Sequence, residues 1–228
     1  MLPSTAIRPI TSTPERAMSS RARVPVRGAF GPMELMGSQM RFGPNEEIFG
    51  EDEPADYVYK VVTGAVRTYK IMSDGRRQIG AFYLPGEIFG LETGTAHRFS
   101  AEAIGQACVR VIKRSAIVSL AERDIEAARE LWTFTARELS RVQGHMLILV
   151  KSAQQRVASF LLEMSERLAA SDVVELPMSR QDIADYLGLT IETVSRTMTQ
   201  LVSDAAINLP SSRRIVLRDR GALREMNS

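Results

Sequence analysis

The sequence predicts an α+β fold with three consecutive parts: an N-terminal antiparallel β-roll over residues 31–115, a long helix over 116–151, and a C-terminal winged helix-turn-helix over 152–228. Three observations support this division. Short alternating apolar runs separated by glycine fill the first part. An apolar repeat with steps of three or four residues runs through the proline-free second part. Two capped helical segments separated by a glycine, followed by a hairpin pattern, fill the third.

Composition limits the classes of function. The chain has 228 residues, a formal net charge of +2 and one cysteine, Cys108. One cysteine forms no internal disulfide and cannot by itself hold zinc or an iron-sulfur cluster, so we expect a reducing, cytoplasmic setting and neither metal nor other cofactor. The longest apolar run, 146–150, is far shorter than the roughly 20 residues of a membrane helix, so we expect no membrane association. We interpret Cys108 as a small apolar strand residue, with a redox role as the alternative.

Residues 1–30 lack a hydrophobic period and are predicted to form a disordered tail. An organelle transit peptide is the alternative, because the segment is rich in arginine and poor in acidic residues. Since the tail holds much of the positive charge, the rest of the chain is slightly acidic. The overall basic character typical of nucleic-acid binders is therefore absent, and a case for DNA binding must rest on local placement.

The first part reads as a series of short strands. Runs 57–62 and 65–72 are predicted to form two strands joined by a tight turn at Gly64, and 78–84 the next strand. A last pair is expected over 99–112, around Gly105. Many short strands with glycine turns indicate an antiparallel roll or barrel.

The long helix carries two apolar stripes. The first has the spacing of a coiled-coil seam and predicts a homodimer interface formed by Trp132, Thr135, Leu139, Val142, Met146 and Leu149. The second is expected to cover the barrel and consists of Leu131, Phe134, Leu147 and Ile148. A helix that lies on its own barrel without a partner is the alternative.

Capping signals place the helices of the third part. Ser152 with Gln155 has the form of a capping box and starts a helix that runs to about residue 168. Ser179 and the residues after it start a short helix, which Gly188 ends. Thr190 caps a second helix with an inner stripe of Val194, Met198 and Leu201 and an outer surface of Ile191, Glu192, Ser195, Arg196 and Thr199. Two short helices around a glycine turn specify a helix-turn-helix.

The outer residues have the chemistry that reading DNA bases requires. Arg196 can donate two hydrogen bonds to guanine, and Glu192 can accept one from cytosine in the major groove. These two residues lie four positions apart, so we expect them to pair with each other before DNA arrives; ordinary surface ion pairing is the alternative. A hairpin over 207–217 is predicted to be the wing. Contacts with the DNA backbone are expected from Ser179, Arg180, Gln181, Thr190, Thr193, Arg213 and Arg214.

These residues carry a resemblance to a known family. The run MSRQDIADYLGLTIETVSRTMTQL resembles the helix-turn-helix of the cAMP receptor protein and fumarate-nitrate regulator superfamily, and LPGEIFGLE resembles its effector-domain barrel, which is cyclic-nucleotide-binding-like. The likeness covers residues 42–219. Glu192 followed by Ser195-Arg196 is similar to the FixK branch, which implies a palindromic TTGAT-N4-ATCAA-like site. Arg196 would read guanine, Glu192 the paired cytosine and Ser195 the neighbouring thymine, with half-sites about one helical turn apart.

Departures from the superfamily bear on the signal. Cyclic-nucleotide barrels use an adjacent Arg-Ser pair for the phosphate, whereas this chain reads Arg98-Phe99-Ser100, and the oxygen-sensing branch's N-terminal cysteine cluster is missing. The resemblance therefore implies a FixK-type activator without a small-molecule effector, in a low-oxygen or nitrogen-fixation role. A ligand-gated sensor is the alternative, with a cyclic nucleotide, or haem held by His97 or His145.

RNA polymerase is the expected protein partner of such an activator. The predicted hairpin at 73–78, with Arg76 and Arg77, is a candidate surface for it, and a solvated turn is the alternative. An enzyme is not expected, because the sequence contains no phosphate-binding glycine loop, no histidine paired with a nucleophile and no metal-ligand cluster.

Overall fold

The structure, a computed structural model, describes residues 36–170 and 172–226. The predicted disordered tail at 1–30 lies outside these residues. The described chain begins with eight strands, β1 Ser38–Phe42, β2 Glu47–Phe49, β3 Tyr57–Thr63, β4 Val66–Ile71, β5 Arg77–Tyr83, β6 Ile88–Phe89, β7 Ser100–Ala103 and β8 Ala107–Lys113. Three helices follow, α1 Arg114–Arg123, α2 Ile125–Leu149 and α3 Ala153–Arg167. The remaining elements are β9 Val173–Glu175, α4 Arg180–Leu187, α5 Ile191–Ser203, β10 Ile207–Asn208, β11 Arg214–Leu217 and α6 Arg220–Met226.

The first eight strands form two four-stranded antiparallel sheets, in the orders β1-β8-β3-β6 and β2-β7-β4-β5. The predicted β-roll is thereby confirmed. Its inner faces pack together through aromatic and aliphatic side chains, among them Phe42, Phe49, Tyr59, Val66, Tyr83 and Phe89. Alternation along each strand produces this core, because successive side chains point to opposite faces of a sheet.

Two predicted strand pairings are wrong. β3 and β4 do not pair across Gly64, and β7 does not pair with β8, because the chain passes from one sheet to the other at both places. Gly64 makes the first crossing possible: its φ is +82°, and a Cβ there would lie 2.4 Å from the Gln106 carbonyl oxygen. β4 instead forms a hairpin with β5 through the turn at Gly75.

The expectation of one helix over 116–151 is also wrong, because the chain breaks at Asp124. This residue has an extended backbone, and its carboxylate accepts hydrogen bonds from the backbone N–H groups of Glu126 and Ala127. An aspartate in this geometry is an N-cap, so α2 starts as a new helix. Leu131 and Phe134 of α2 pack against the barrel, as predicted, whereas Leu147 is 66% exposed and does not.

The C-terminal part packs four helices, α3, α4, α5 and α6, with a small sheet of strand order β10-β11-β9. The capping box of Ser152 and Gln155 at the start of α3 is confirmed. The core of the C-terminal part is continuous with the core of the barrel, because Phe82 of β5 contacts both Phe160 of α3 and Tyr186 of α4. Across residues 36–170 and 172–226, none of the helices combines the length and the hydrophobicity of a membrane-spanning segment.

Candidate nucleic-acid interface

The helix-turn-helix predicted from the sequence is formed by α4 and α5. The Ser179 Oγ accepts a hydrogen bond from the Asp182 backbone N–H at 3.1 Å, and the Ser179 backbone N–H donates to the Asp182 carboxylate at 2.9 Å. This capping box starts α4, as expected. Gly188 ends α4 in the left-handed region with φ 62°, a conformation that glycine adopts without strain. Both ends of the helix are therefore set by local chemistry.

The second helix, α5, presents the expected polar edge to solvent. Thr190 caps it by accepting a hydrogen bond from the Thr193 backbone N–H at 3.2 Å. Its inner face is buried and consists of Val194, Thr197, Met198 and Leu201. Its outer face carries Ile191, Glu192, Arg196 and Thr199, all exposed, with Ser195 half-buried between them. Positions 192, 195, 196 and 199 lie on one side of a helix, so the structure brings the predicted base-reading residues together.

The predicted pairing of Glu192 with Arg196 is not formed; no ion pair joins them within the described chain. Glu192 lies in the first turn of α5, where hydrogen bonds with its own backbone N–H and with the Thr190 side chain lower its pKa. The N-terminus of a helix carries a partial positive charge, which stabilises a carboxylate. The Glu192 carboxylate is therefore stabilised by the start of α5 and not by Arg196. Both side chains are exposed, so a groove of DNA can approach them directly.

The residues predicted to contact the DNA backbone fall into two groups. Four lie around the two helix N-termini: Ser179, Arg180, Gln181 and Thr190, with Thr193 one turn into α5. Arg180 is half-buried, its pKa is lowered by burial, and it forms no ion pair with any described residue. Gln181 is exposed and donates to the Asp185 carboxylate at 2.6 Å.

The second group lies on the wing. In the structure the wing has three strands, one more than the sequence predicts. The expected hairpin of β10 and β11 is present, and β9 adds a third strand that the sequence did not indicate. Arg213 and Arg214 are both exposed at the turn end of β11. Arg214 lies 3.4 Å from the Glu175 carboxylate of β9, whereas Arg213 is in no ion pair with the described residues.

Sequence reasoning missed a cluster of charges that joins the barrel to α4. Arg67 of β4 lies 2.9 Å from Asp182, and Arg77 of β5 lies 2.7 Å from the same carboxylate oxygen and 2.8 Å from Asp185. Arg77 therefore faces the helix-turn-helix, which corrects its assignment to an exposed surface for RNA polymerase. Arg76 beside it is exposed and paired with Asp74 in its own turn.

The predicted dimer seam is a solvent-facing stripe of α2 in this single chain. Trp132 is 76% exposed, Leu139 58% and Met146 63%. Thr135 and Val142 are also exposed, whereas Leu149 is half-buried. Apolar side chains exposed in one continuous row along a helix mark an interaction surface.

A cavity of about 380 Å³ lies between the barrel and α2. It is lined by residues of β5, the loop around Phe99 and α2, including Arg141 and His145. The Arg141 guanidinium is already engaged, with the Glu138 carboxylate and over the Tyr83 ring at 4.8 Å. Phe99 lies against Gly80, where a Cβ would meet its ring at 3.0 Å. The lining is therefore mainly apolar, and its acidic and basic members are Glu92, His145 and the paired Arg141 and Glu138.

The two histidines are packed on aromatic rings. His97 stacks on Phe49 with ring centroids 3.6 Å apart, and burial lowers its pKa. His145 stacks on Tyr186 of α4 at 4.0 Å, and burial together with nearby Arg141 lowers its pKa to about 4. Among the described residues, no group of three or more potential ligands is placed to hold a metal ion. Cys108 is half-buried on β8, and its Sγ contacts the Gln39 side chain at 3.5 Å.

Comparison with known proteins agrees with this geometry. Residues 39–124 match the cyclic nucleotide-binding domain, and residues 155–226 match the Crp-like helix-turn-helix domain. The chain is 54% identical over 199 residues to the nitrogen fixation regulation protein FixK of Azorhizobium caulinodans, a match that covers 85% of this chain and 80% of that protein. It is 42% identical to the protein of the same name from Rhizobium meliloti, with 86% and 91% of the two chains covered.

A solved structure agrees as well. FixK2 from Bradyrhizobium japonicum superposes with a TM-score of 0.81 at 53% identity, over 85% of this chain and 98% of that one. The relatives are regulatory proteins, which confirms the expectation that the chain is not an enzyme. Both domains match family models, and two of these relatives, one of them a solved structure, are identical to the chain at more than half of the aligned positions. This chain belongs to the CRP/FNR family of transcription regulators.

Proposed function

We propose that the chain is a transcription activator that binds a palindromic TTGAT-N4-ATCAA-like site as a homodimer, through the major groove. The observation that carries this proposal is the exposed edge of α5, where Glu192, Ser195 and Arg196 lie together above a buried stripe. A helix of this kind fits the major groove, which is wide enough to admit it.

Each of the three residues has a role that its chemistry supports. Arg196 is exposed and in no ion pair with any described residue, so its guanidinium is available for a bidentate contact with guanine. Glu192 has a lowered pKa and is ionised at neutral pH, as an acceptor for the cytosine amino group must be. Ser195 contacts the neighbouring thymine in this arrangement.

Contacts with phosphates orient the helix. The backbone N–H groups at the starts of α4 and α5 attract anions, because each helix N-terminus carries a partial positive charge. Arg180 adds a cation at the first of these ends, and Arg213 and Arg214 add two on the wing. The proposed set is completed by Ser179, Gln181, Thr190 and Thr193.

Dimerisation uses the exposed stripe of α2. Trp132, Leu139 and Met146 are each more than half exposed in the single chain, and pairing two copies of α2 buries them. Removal of apolar surface from water contributes about 25 cal/mol per Å². Thr135, Val142 and Leu149 complete the seam. In this arrangement residues 31–115 form the sensor-like barrel, 116–151 the dimerisation segment and 152–228 the DNA-binding domain.

The proposed role is that of a FixK-type regulator in low-oxygen or nitrogen-fixation control, acting in the bacterial cytoplasm without a small-molecule effector. Two relatives bear the name nitrogen fixation regulation protein. Arg98 is exposed, and the Ser100 hydroxyl accepts a hydrogen bond from the Glu51 backbone N–H at 2.9 Å. The Ser100 hydroxyl is therefore already engaged within the barrel. RNA polymerase is the proposed partner, with the exposed Arg76 turn as its surface.

A ligand-gated sensor is the second candidate, and the cavity between barrel and α2 favours it. A haem or nucleotide there would contact α2 directly and reach the helix-turn-helix through His145 and Tyr186. Against this candidate, Arg141 in the cavity is neutralised by Glu138.

Equilibrium binding of purified, ligand-free protein to a labelled TTGAT-N4-ATCAA duplex separates the two candidates. The proposal predicts tight binding without any added ligand. It also predicts that Arg196→Ala loses about 1–3 kcal/mol of discrimination against a duplex in which the guanine is replaced.

Arg41→Ala is the matched control, because it removes another exposed arginine, from β1 of the barrel. It should leave guanine discrimination unchanged. Equal discrimination by the parent and by Arg196→Ala would contradict the assigned reading of guanine. Binding that requires added cyclic nucleotide or haem would favour the second candidate.

A further inference from the structure

The charges between barrel and helix-turn-helix form one connected cluster, which we call the interdomain arginine cluster. Its members come from β4, β5, β7 and α4 and are Arg67, Arg77, Glu102, Asp182 and Asp185. Arg67 also donates to Glu102 at 2.7 Å and to the Asn45 side chain at 2.8 Å. In addition, the Gln78 side chain donates to the Asp185 carbonyl oxygen at 2.7 Å.

The cluster has a buried centre, which makes its geometry restrictive. The side chain of Arg67 is 7% exposed and that of Asp182 3%, whereas Arg77 at the edge is 24% exposed. Charges removed from water are stable only when they are paired and hydrogen-bonded, so a movement of α4 that separates them is opposed. Charge-assisted hydrogen bonds to a guanidinium are also directional. The apolar contacts of Phe82 in the same interface are not directional and tolerate sliding.

Asp182 connects the cluster to the DNA-binding surface. One of its carboxylate oxygens accepts from Arg67 and Arg77, and the other accepts from the backbone N–H and the hydroxyl of Ser179. Asp182 thus links the capped start of α4 to the barrel, and Asp185 adds a second contact one turn further on. By contrast, the covalent connection between α2 and α3 is only residues 150–152.

We propose that the interdomain arginine cluster fixes the orientation of α5 relative to the barrel and α2, and thereby sets the spacer length between half-sites that the dimer accepts. The inference rests on the proposed function, because it concerns how two copies of α5 reach one operator. One added base pair moves a half-site by about 3.4 Å and rotates it by roughly 35°. A DNA-binding domain held to the barrel by directional ion pairs cannot shift and rotate by this amount. A domain held only by apolar contacts and a short connection can.

The test measures affinities for duplexes with identical half-sites and spacers of three, four, five or six base pairs. We expect the parent to prefer one spacer. Arg77→Met removes the contacts to Asp182 and Asp185 of α4 and the longer contact to Glu102 of β7. It should reduce the preference for that spacer about tenfold, the effect of one hydrogen bond to a charged group. Arg77→Lys retains the charge without the guanidinium geometry and should lie between parent and Arg77→Met.

Lys70→Met is the control, because Lys70 is a cation of the same sheet that pairs with Glu51 at the barrel surface and not with α4. It should keep the parental preference. Circular dichroism identifies variants that do not fold; if Arg77→Met is one of them, Asp185→Asn replaces it in the comparison.

A folded Arg77→Met or Asp185→Asn protein with the parental spacer preference would overturn the inference, even if its overall affinity were lower. Uniform weakening across all spacers is what a merely structural role produces. A parent protein that binds none of the duplexes would instead contradict the proposed function, and the inference would fall with it.

Discussion

Acidification from pH 7.5 to pH 5.5 is expected to destabilise the fold through His145. This residue lies on α2, stacks on Tyr186 of α4 and is close to Arg141, and its pKa is lowered to about 4 by burial and by that arginine. In the unfolded chain a histidine has a pKa of about 6.5. The unfolded state therefore takes up the proton first as the pH falls.

The sign and size of the effect follow from this difference. Above pH 6.5 His145 is neutral in both states and does not lower the free energy of unfolding. As the pH falls from 6.5 toward 4, the free energy of unfolding decreases by about 1.4 kcal/mol per pH unit for a fully buried group. His145 is half-buried, so solvent screening reduces the loss between pH 7.5 and 5.5 to about 1 kcal/mol. His97, whose pKa is also lowered by burial, contributes in the same direction.

Urea unfolding followed by circular dichroism, at equal protein concentration and both pH values, measures this loss. His145→Gln is the comparison, because it keeps a polar side chain that does not titrate. The variant should lose less stability on acidification than the parent does, by about 1 kcal/mol. Equal losses in parent and variant would show that His145 does not become harder to protonate on folding and is not the source of the acid sensitivity.

Two further outcomes are expected from the packing. Phe82→Ala removes a fully buried ring that contacts both α3 and α4 from the barrel. It should lower the free energy of unfolding, measured by urea titration, by about 3–5 kcal/mol. An unchanged urea midpoint would contradict the continuous core. Leu139→Asp introduces a charge into the exposed stripe of α2 and should shift sedimentation from dimer to monomer with unchanged circular dichroism. Arg137→Asp, on the opposite side of the same helix, should sediment as the parent does, and a Leu139→Asp dimer would contradict the assigned seam.

The helix-turn-helix was predictable because its signals are local. Ser179 and Asp182 cap α4, Gly188 ends it, and Thr190 caps α5, and each of these acts within four residues of the backbone it controls. The inner stripe of α5 then follows from helical geometry alone. Exposure of Glu192 and Arg196 is the consequence of that stripe, so it required no knowledge of the rest of the chain.

Strand pairing was less predictable, because alternation along a strand is the same whichever strand lies beside it. The runs that became β3 and β4 alternate as expected, yet they belong to different sheets. The crossing brings Gly64 close to Gln106, a residue remote in sequence, so alternation within the two runs does not reveal it. Asp124 is a different case: an aspartate followed by helix formers is an N-cap signal, but the uninterrupted composition around it suggested one helix.

The interdomain arginine cluster had no local signal. Arg67 occupies a strand position where a charged side chain indicates a solvent-facing site, but its partner Asp182 lies 115 positions away. Arg77 follows a turn and was assigned to an exposed surface for the same reason. Buried ion pairs between distant elements depend on the packing of whole domains, and sequence periodicity contains no information about that packing.

Selection of bound duplexes from random DNA by the purified, ligand-free protein shows whether α5 reads DNA in a two-fold symmetric pair. We expect enrichment of inverted TTGAT-like half-sites about one helical turn apart, with the guanine position randomised when Arg196→Ala is used instead. Enrichment of a single unrepeated motif would mean that α5 does not act in a symmetric pair, and enrichment of the same motif by parent and variant would mean that Arg196 does not read guanine.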